Sequence, residues 1–158
     1  TNLGRICMRA VIQRVSRAVI TIDHRETRTI GQGLVVFLGV MKGDTQAQAD
    51  FMAEKVHGLR IFTDENGKMN LSLEDVDGEL LVVSNFTLGT DCKKGRRPSF
   101  DLAAPPQEGE ALYRRFVERA KELGIHKVET GEFGAHMDVL AANDGPVTIT
   151  IDTERIGK

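Results

Sequence analysis

The run GLVVFLGVM, from Gly33 to Met41, limits what this chain can fold into more than any other stretch. It is apolar without alternation, which is typical of a strand that is covered on both faces. A second largely apolar run, GELLVVSNFTLG, extends from Gly78 to Gly89. The first run is therefore expected to be a central strand covered on both faces, and the second another largely apolar strand.

Further strands and two helices are predicted around these runs. Val- and Ile-rich stretches predict two strands, Met8–Ser16 and Ala18–Asp23. Thr45 and Gln48 have capping-box spacing at the start of an amphipathic helix within residues 43–62. A second helix is predicted over residues 107–123, and the later predicted strands are 127–133, 137–143 and 146–152.

The order of these elements predicts the fold class. Most of the predicted strands are joined by short connections, and only two helices occur. This favours an α+β fold, with a small, mainly antiparallel, β-barrel-like sheet and two helices on one side.

Composition restricts the class of protein. A chain of 158 residues, 41% hydrophobic and 28% charged, suits one domain. The regular pattern begins abruptly at Met8, so we assign residues 1–7 to an N-terminal extension, native or added, and residues 8–158 to a single domain. Cys7 and Cys92 have no CxxC spacing, and the sequence has neither a long apolar run nor a signal-like leader. We therefore expect a cytoplasmic protein without membrane contact.

Motifs for metals and common cofactors are missing from the sequence. The four histidines lack HExxH or HxxxH spacing, and no Cys/His cluster accompanies them. Neither GxGxxG after a strand nor GxxxxGK[ST] occurs, and GxSxG is absent. We expect no metal and no cofactor, and an enzyme of this sequence would lack the usual side-chain machinery.

The stretch SNFTL, at the end of the second apolar run, is the first candidate site. Backbone N–H groups become free at strand ends, while Ser84 and Thr87 add hydroxyls and Asn85 adds an amide. One interpretation is a strand end with small polar residues facing water. The other is a segment that binds an oxyanion or orients a substrate.

Two more stretches have an ordinary and a functional interpretation. NDGPVT, residues 143–148, reads as a β-turn, although glycine allows close approach of the backbone and proline permits a cis bond. KKGRRP, residues 93–98, reads as a solvated loop. Because the net charge of the chain is only −2, such a local basic run is also where phosphates would bind.

Together, SNFTL, KKGRRPSF and NDGPVT, in this order and at these separations, resemble the D-aminoacyl-tRNA deacylase family of the D-tyrosyl-tRNA deacylase type. MRAVIQRVSRAVITID resembles the opening of that family and GLVVFLGV its third strand, so the likeness covers Met8 to Asp152. The first family motif reads Ser-Gln-Phe-Thr, and this chain has Asn85 in the glutamine position. The shorter side chain either shifts a substrate contact or braces the neighbouring loop.

The resemblance implies an activity. The family hydrolyses the ester that joins a D-amino acid to the terminal ribose of tRNA, and works as a homodimer with active sites at the subunit interface. It implies that the Gly145–Pro146 bond is cis and enters the partner's pocket, where the two carbonyls exclude L side chains. Glycyl-tRNA, which has no side chain to exclude, is expected to be hydrolysed to some extent.

The resemblance also assigns roles to residues. It implies a catalytic segment in which the backbone N–H groups of Phe86 and Thr87 hold the ester carbonyl, with the Thr87 hydroxyl as a weaker alternative nucleophile. The residues implied are Ser84, Asn85, Phe86 and Thr87 for catalysis, Gly145 and Pro146 for chirality, Asn143, Val147 and Thr148 for support, and Lys93, Lys94, Arg96, Arg97 and Phe133 for the 3′ end of tRNA.

Two other functions fit the same residues. A non-catalytic RNA-binding module would use the basic run and Phe133 without cleaving anything. A small-molecule esterase or amidase would use Thr87 or Ser84 on substrates that lack RNA.

Overall fold

The computed structural model describes residues 7–153. The predicted N-terminal extension lies outside these residues apart from Cys7, which is buried, so the division of the chain at Met8 stays a prediction. Two helices, eight strands and one 3-10 turn form the described part: β1 (Arg9–Ile22), β2 (Glu26–Ile30), β3 (Gly33–Gly39), α1 (Gln46–Gly58), β4 (Phe62–Thr63), β5 (Met69–Leu71), β6 (Glu79–Ser84), the 3-10 turn (Phe86–Gly89), α2 (Pro106–Glu122), β7 (Lys127–Thr130) and β8 (Met137–Asp152).

Strand β1 organises the sheet. One of its edges pairs with β3 along its first half and with β2 along its second half, and the other edge pairs with β8 along nearly its whole length. These three ladders are antiparallel, whereas β3–β6 and β6–β7 are parallel. The sheet is therefore mixed, with the order β2-β1-β3-β6-β7 and β8 on the outer edge of β1.

The two strands predicted in the first 23 residues are one strand, so that prediction was wrong. Between Val15 and Arg17 the pairing with β8 shifts register, which leaves Ser16 as an extra residue on β1. After this bulge, the even-numbered side chains of β1 point to the opposite face of the sheet. Ile12 lies in the core beneath the helices, whereas Ile20, also at an even position, lies in the other core.

The sheet curls into a nearly closed barrel, which confirms the α+β, barrel-like prediction. Side chains connect β2 to β7 where the barrel closes. Arg28 Nη1 donates to the Thr130 carbonyl at 2.7 Å, and Lys127 Nζ donates to the Thr29 carbonyl at 3.0 Å.

Two hydrophobic cores cover the two faces of the central strands. Leu34 and Val36 of β3 pack toward the helices, while Val35 packs into the barrel interior. The apolar runs are thus covered on both sides, as predicted. Both helices also form where expected, and the predicted capping box is present, with the Thr45 N–H donating to Gln48 Oε1 at 2.7 Å. Within residues 7–153, neither helix is long and apolar enough to cross a membrane.

Three predicted boundaries were wrong. The strand expected to continue to Gly89 ends at Ser84, because Asn85 begins a 3-10 turn. The strand expected over residues 127–133 ends at Thr130. Residues 143–148 are not a turn between two strands but an irregular part of the 16-residue strand β8.

Candidate active site

A pocket opens where β6 ends. It has a volume of about 210 Å3, and Ser84, Asn85 and Phe86 form one side of it. The segment that leads into β8 forms the other side, with Phe133, Gly134, Ala135 and Met137. The structure thus brings three of the four predicted catalytic residues together with Phe133, which is predicted to bind the 3′ end of tRNA.

Asn85 shapes the polar wall of this pocket. Its N–H donates to the Leu38 carbonyl at 2.8 Å, which continues the pairing of β3 with β6 by one residue. Its side-chain Oδ1 accepts from the Thr87 N–H at 3.2 Å and from the Thr87 hydroxyl. An asparagine that caps a turn two residues ahead is favoured locally, so the chain leaves the strand here.

This capping decides which backbone donors are available. The Thr87 N–H and hydroxyl both point at Asn85, whereas Phe86 occupies the first position of the 3-10 turn, where the turn itself supplies no acceptor for the N–H. Of the two N–H groups predicted to hold a carbonyl oxygen, the geometry favours that of Phe86. The Thr87 side chain does not line the pocket.

Arg9 holds the other end of the 3-10 turn. Its Nη1 donates to the Leu88 carbonyl at 3.1 Å, and its Nη2 pairs with the Asp152 carboxylate at 3.1 Å. The side chain therefore joins the turn to the final residue of β8.

Phe133 belongs to both the core and the pocket. The half-buried ring lies 6.0 Å from the ring of Tyr113, and a Cβ on Gly109 of α2 would come within 3.3 Å of it. Tyr113 is buried and donates its hydroxyl to the Val82 carbonyl at 3.1 Å. Burial raises the pKa of the Tyr113 phenol to about 12, so it stays neutral at ordinary pH.

The pocket offers hydrogen-bond donors but no acid or base. The seven residues that line it have no ionisable side chain. Within residues 7–153, no three His, Cys, Asp or Glu side chains are grouped closely enough to hold a metal ion. Such a site can orient and polarise a carbonyl group, and none of its own seven lining side chains supplies an acid or a base.

The predicted chirality motif forms a protrusion on β8. Asn143 pairs with Val15 and Thr148 with Gln13, so the four residues 144–147 face the single residue Arg14. Residues 144–146 are exposed, the Gly145–Pro146 bond is cis, and Gly145 has a φ of 144°. We call residues 144–147 the protruding segment.

Asn143 closes the base of the protruding segment. Its Nδ2 donates to Thr148 Oγ1 at 3.0 Å, and its Oδ1 accepts from the Val147 N–H at 2.9 Å. The three residues predicted to support Gly145 and Pro146 are therefore in contact with each other.

Arg14 was not predicted from the sequence, but its side chain hydrogen-bonds to the backbone of the protruding segment. The side chain is buried; its Nε donates to the Asp144 carbonyl at 3.0 Å, and its Nη1 donates to the Ile61 carbonyl at 2.8 Å. The Asp144 carboxylate lies 3.4 Å from Nε. The sequence does not single out Arg14, because Arg17 lies in the same Val- and Ile-rich strand and is exposed.

The protruding segment does not line the pocket of its own chain. The seven residues that form the pocket lie within 84–86 and 133–137, and none belongs to residues 144–147. The segment faces Arg14 in the middle of β1, whereas Ser84 is the last residue of β6. Within one chain, the segment is thus outside the pocket that the predicted catalytic residues form.

The predicted tRNA-binding cations lie on a short loop between the 3-10 turn and α2. Asp91 and Ser99 pair through both backbone N–H groups, at 2.8 Å each, and the Asp91 carboxylate accepts from the Lys93 N–H at 2.9 Å. We call residues 91–99 the basic loop. It exposes four cations: Lys93, Lys94, Arg96 and Arg97.

Comparison with known proteins gives consistent matches over nearly the whole chain. Residues 11–152 match the family model described as D-Tyr-tRNA(Tyr) deacylase. A D-aminoacyl-tRNA deacylase of Thermotoga petrophila is 56% identical over 149 residues, covering 94% of this chain and 99% of the relative. One of Symbiobacterium thermophilum is 57% identical over 148 residues, covering 94% and 97%.

Solved structures share the fold. A protein described as c-Myc DNA Unwinding Element Binding Protein has a TM-score of 0.84 and 41% identity, covering 90% of this chain and 97% of its own. A probable eukaryotic D-amino acid tRNA deacylase has a TM-score of 0.78 at 20% identity, covering 92% and 98%, and this second likeness concerns the fold alone.

Proposed function

The chain belongs to the D-Tyr-tRNA(Tyr) deacylase family and is an ester hydrolase of the D-aminoacyl-tRNA deacylase type, and we propose that a second subunit completes its active site and gives it its chirality. The reaction releases a D-amino acid and free tRNA. The observation that carries the proposal is the pair of half-sites: a pocket without acid or base, and an exposed backbone segment that does not line this pocket in the same chain.

Catalysis in the pocket depends on the backbone and the substrate. The Phe86 N–H donates to the ester carbonyl and stabilises the negative charge that develops when water attacks. The ester is already activated, and the ribose hydroxyl beside it orients the attacking water. The Thr87 hydroxyl donates a hydrogen bond to Asn85 Oδ1, and no base lies in the pocket to activate it as a nucleophile. Its role is therefore to stabilise the 3-10 turn.

The partner subunit supplies the protruding segment. In the assembly that we propose, the carbonyls of Gly145 and Pro146 lie against the substrate α-carbon on the side where an L side chain would project. An L residue would collide with this wall and leave buried carbonyls without partners, which costs about 1–3 kcal/mol for each group. A D side chain points away, and glycine has nothing to collide, so glycyl-tRNA is also hydrolysed.

The exposed side of β8 supports a homodimer. Within the described residues β8 pairs only with β1, so the other edge of a 16-residue strand has no ladder partner. Leu140, on this strand, is 73% exposed. Long free edges and large exposed apolar side chains are unusual unless another chain covers them.

The basic loop and Phe133 hold the RNA. Lys93, Lys94, Arg96 and Arg97 contact phosphates of the acceptor end, and Phe133 stacks on the terminal adenine. The removal of D-amino acids from tRNA is a quality-control step before translation, so we place the reaction in the cytoplasm.

Single-turnover deacylation tests the proposal. We expect rapid hydrolysis of D-Tyr-tRNA, measurable hydrolysis of Gly-tRNA and no acceleration with L-Tyr-tRNA. Equal hydrolysis of D-Tyr-tRNA and D-tyrosine methyl ester would favour the small-molecule esterase instead. Binding of tRNA without any hydrolysis would favour the RNA-binding module.

A further inference from the structure

Two exposed phenylalanines touch each other beside the pocket. Within residues 7–153, four large hydrophobic side chains are exposed, and two of these are Phe86, at 59%, and Phe100, at 37%. Their ring centroids lie 5.4 Å apart, with an interplanar angle of 81°. This edge-to-face arrangement is favourable for aromatic pairs. It also leaves ring faces open to solvent.

The pair lies between the pocket and the cations. Phe86 forms part of the pocket wall, and Phe100 directly follows the basic loop, three residues after Arg97. The two rings thus link the pocket wall to the start of the chain segment that exposes four cations. Exposed aromatic rings next to a basic groove are the combination that binds single-stranded nucleic acid.

We propose that Phe86 and Phe100 form a stacking platform for the unpaired bases that directly precede the terminal adenosine of the tRNA. The inference rests on the proposed function, which places the aminoacyl-adenosine in the pocket. The chain of nucleotides then leaves the pocket past Phe86, and the basic loop neutralises its phosphates. Bases stack on aromatic faces whatever their sequence, so the platform fits the 3′ end common to all tRNAs.

A second copy of this chain could also pack against these two exposed rings. The basic loop argues for RNA, because Lys93, Lys94, Arg96 and Arg97 are all exposed beside Phe100 and would be drawn toward phosphates rather than toward the like charges of an identical loop. The experiment separates the two occupants.

The test uses Phe100, whose backbone and side chain take no part in the proposed chemistry. Substrates are D-Tyr-tRNA, the same tRNA with an abasic nucleotide before the terminal adenosine, and D-Tyr-adenosine, which lacks every preceding nucleotide. We expect Phe100→Leu to lower kcat/KM for D-Tyr-tRNA about tenfold more than for D-Tyr-adenosine, in line with base–aromatic stacking. Phe100→Trp should retain the wild-type ratio, because it keeps an aromatic face.

The abasic tRNA completes a double-mutant cycle. We expect it to be a poorer substrate than D-Tyr-tRNA for the wild type, and to show little further loss with Phe100→Leu, because both changes remove one stacking contact. Phe51→Leu, the same change at a phenylalanine of helix α1 that does not line the pocket, is the matched control and should leave the ratio of the substrates unchanged.

Several results would overturn the platform. One is an equal loss on D-Tyr-tRNA and D-Tyr-adenosine, and another is full additivity with the abasic tRNA. A third is a shift of Phe100→Leu toward the monomer in sedimentation velocity, which would assign the rings to a subunit interface. If the wild type hydrolyses neither D-Tyr-tRNA nor D-Tyr-adenosine, the proposed function itself fails, and that outcome is distinct from the others.

Discussion

At the scale of single residues, Arg14 and Asn85 do the most to position the proposed site, and we propose that both act by orienting the main chain. Arg14 bridges two backbone carbonyls that belong to different parts of the chain, at Asp144 and Ile61. Asn85 satisfies the N–H of Thr87 and thereby forms the turn beside the pocket. Each acts through the main chain that it orients.

Arg14→Lys tests the support of the protruding segment. Lysine has one ammonium group and cannot span both carbonyls, and charge-assisted hydrogen bonds are worth about 1.5–3 kcal/mol each. We expect the preference for D-Tyr-tRNA over L-Tyr-tRNA, measured by single-turnover deacylation, to fall about tenfold or more. Arg17→Lys, at an exposed position of the same strand, is the control and should keep the preference. A less stable variant with unchanged preference would limit Arg14 to a structural role.

Asn85→Ala tests the cap of the 3-10 turn. Loss of a capping side chain costs about 1 kcal/mol, so the Thr87 amide should exchange its hydrogen about five times faster. Asn85→Asp keeps the accepting oxygen and should retain slow exchange. NMR hydrogen exchange measures both. Equal exchange in the wild type and Asn85→Ala would mean that the side chain serves the substrate and not the turn.

At the scale of elements, the sequence predicts the helices and central strands well and the irregular places poorly. The apolar run from Gly33 and the capping box at Thr45 act locally, so pattern alone identifies them. The bulge at Ser16 and the protruding segment depend on pairing between β1 and β8, which are more than 100 residues apart. Local propensity contains no information about such a register.

The same distinction holds for the candidate site. Ser84, Asn85 and Phe86 are recognisable because a motif ends an apolar strand, and the structure brings them to one pocket. Arg14 and the Phe86–Phe100 pair were not predicted, because their partners are distant in sequence or belong to another element.

The contact between α2 and β6 gives a prediction for alkaline pH. The pKa of the Tyr113 phenol is raised from 10.0 to about 12 by burial, so between these values the unfolded chain releases a proton that the folded chain keeps. The free energy of unfolding contributed by this group is constant below pH 10 and falls by up to about 1.4 kcal/mol per pH unit up to pH 12.

Tyr113→Phe should remove this fall. At pH 8 the variant should be less stable by about 1 kcal/mol, because the hydrogen bond to the Val82 carbonyl is lost. Urea unfolding at pH 8 and pH 11 should show the difference between wild type and variant shrinking or reversing. A constant difference would mean that the phenol ionises normally in the folded protein.

The basic loop should contribute to tRNA binding mainly through electrostatic attraction to phosphates. Replacing Lys93, Lys94, Arg96 and Arg97 with glutamine should weaken binding of D-Tyr-tRNA and flatten its dependence on salt. The slope of log K against log salt should become shallower by about 0.7–0.9 for every phosphate that a cation no longer neutralises. Fluorescence titrations from low to moderate salt measure the slope. Glutamine at Lys121 and Arg25, cations elsewhere on the surface, should leave it unchanged.

At the scale of the whole molecule, two subunits share each site in the proposed assembly. The pocket and the protruding segment are separate parts of one chain, and no residue of the segment lines the pocket. In a two-fold dimer, the segment of each chain can lie in the pocket of the other chain. Symmetry then gives the dimer two equivalent complete sites. Chirality would then be a property of the dimer rather than of the fold.

Heterodimers of two differently altered subunits test this claim most directly. In the first, residues 144–147 are replaced by one serine, which leaves a single residue opposite Arg14 and lets β8 continue its pairing without the protrusion. In the second, Ala135→Phe fills the pocket of about 210 Å3. Each carries its own affinity tag, so that heterodimers are purified apart from both homodimers, and circular dichroism checks that each variant is folded.

The ratio of L-Tyr-tRNA to D-Tyr-tRNA hydrolysis is the measurement. The homodimer without the segment should hydrolyse both substrates, and the filled homodimer neither. In the heterodimer, the single open pocket faces an intact segment from its partner, so we predict that it hydrolyses D-Tyr-tRNA and again rejects L-Tyr-tRNA. If the heterodimer hydrolyses L-Tyr-tRNA as readily as the homodimer without the segment, each chain filters its own pocket and the shared site is contradicted.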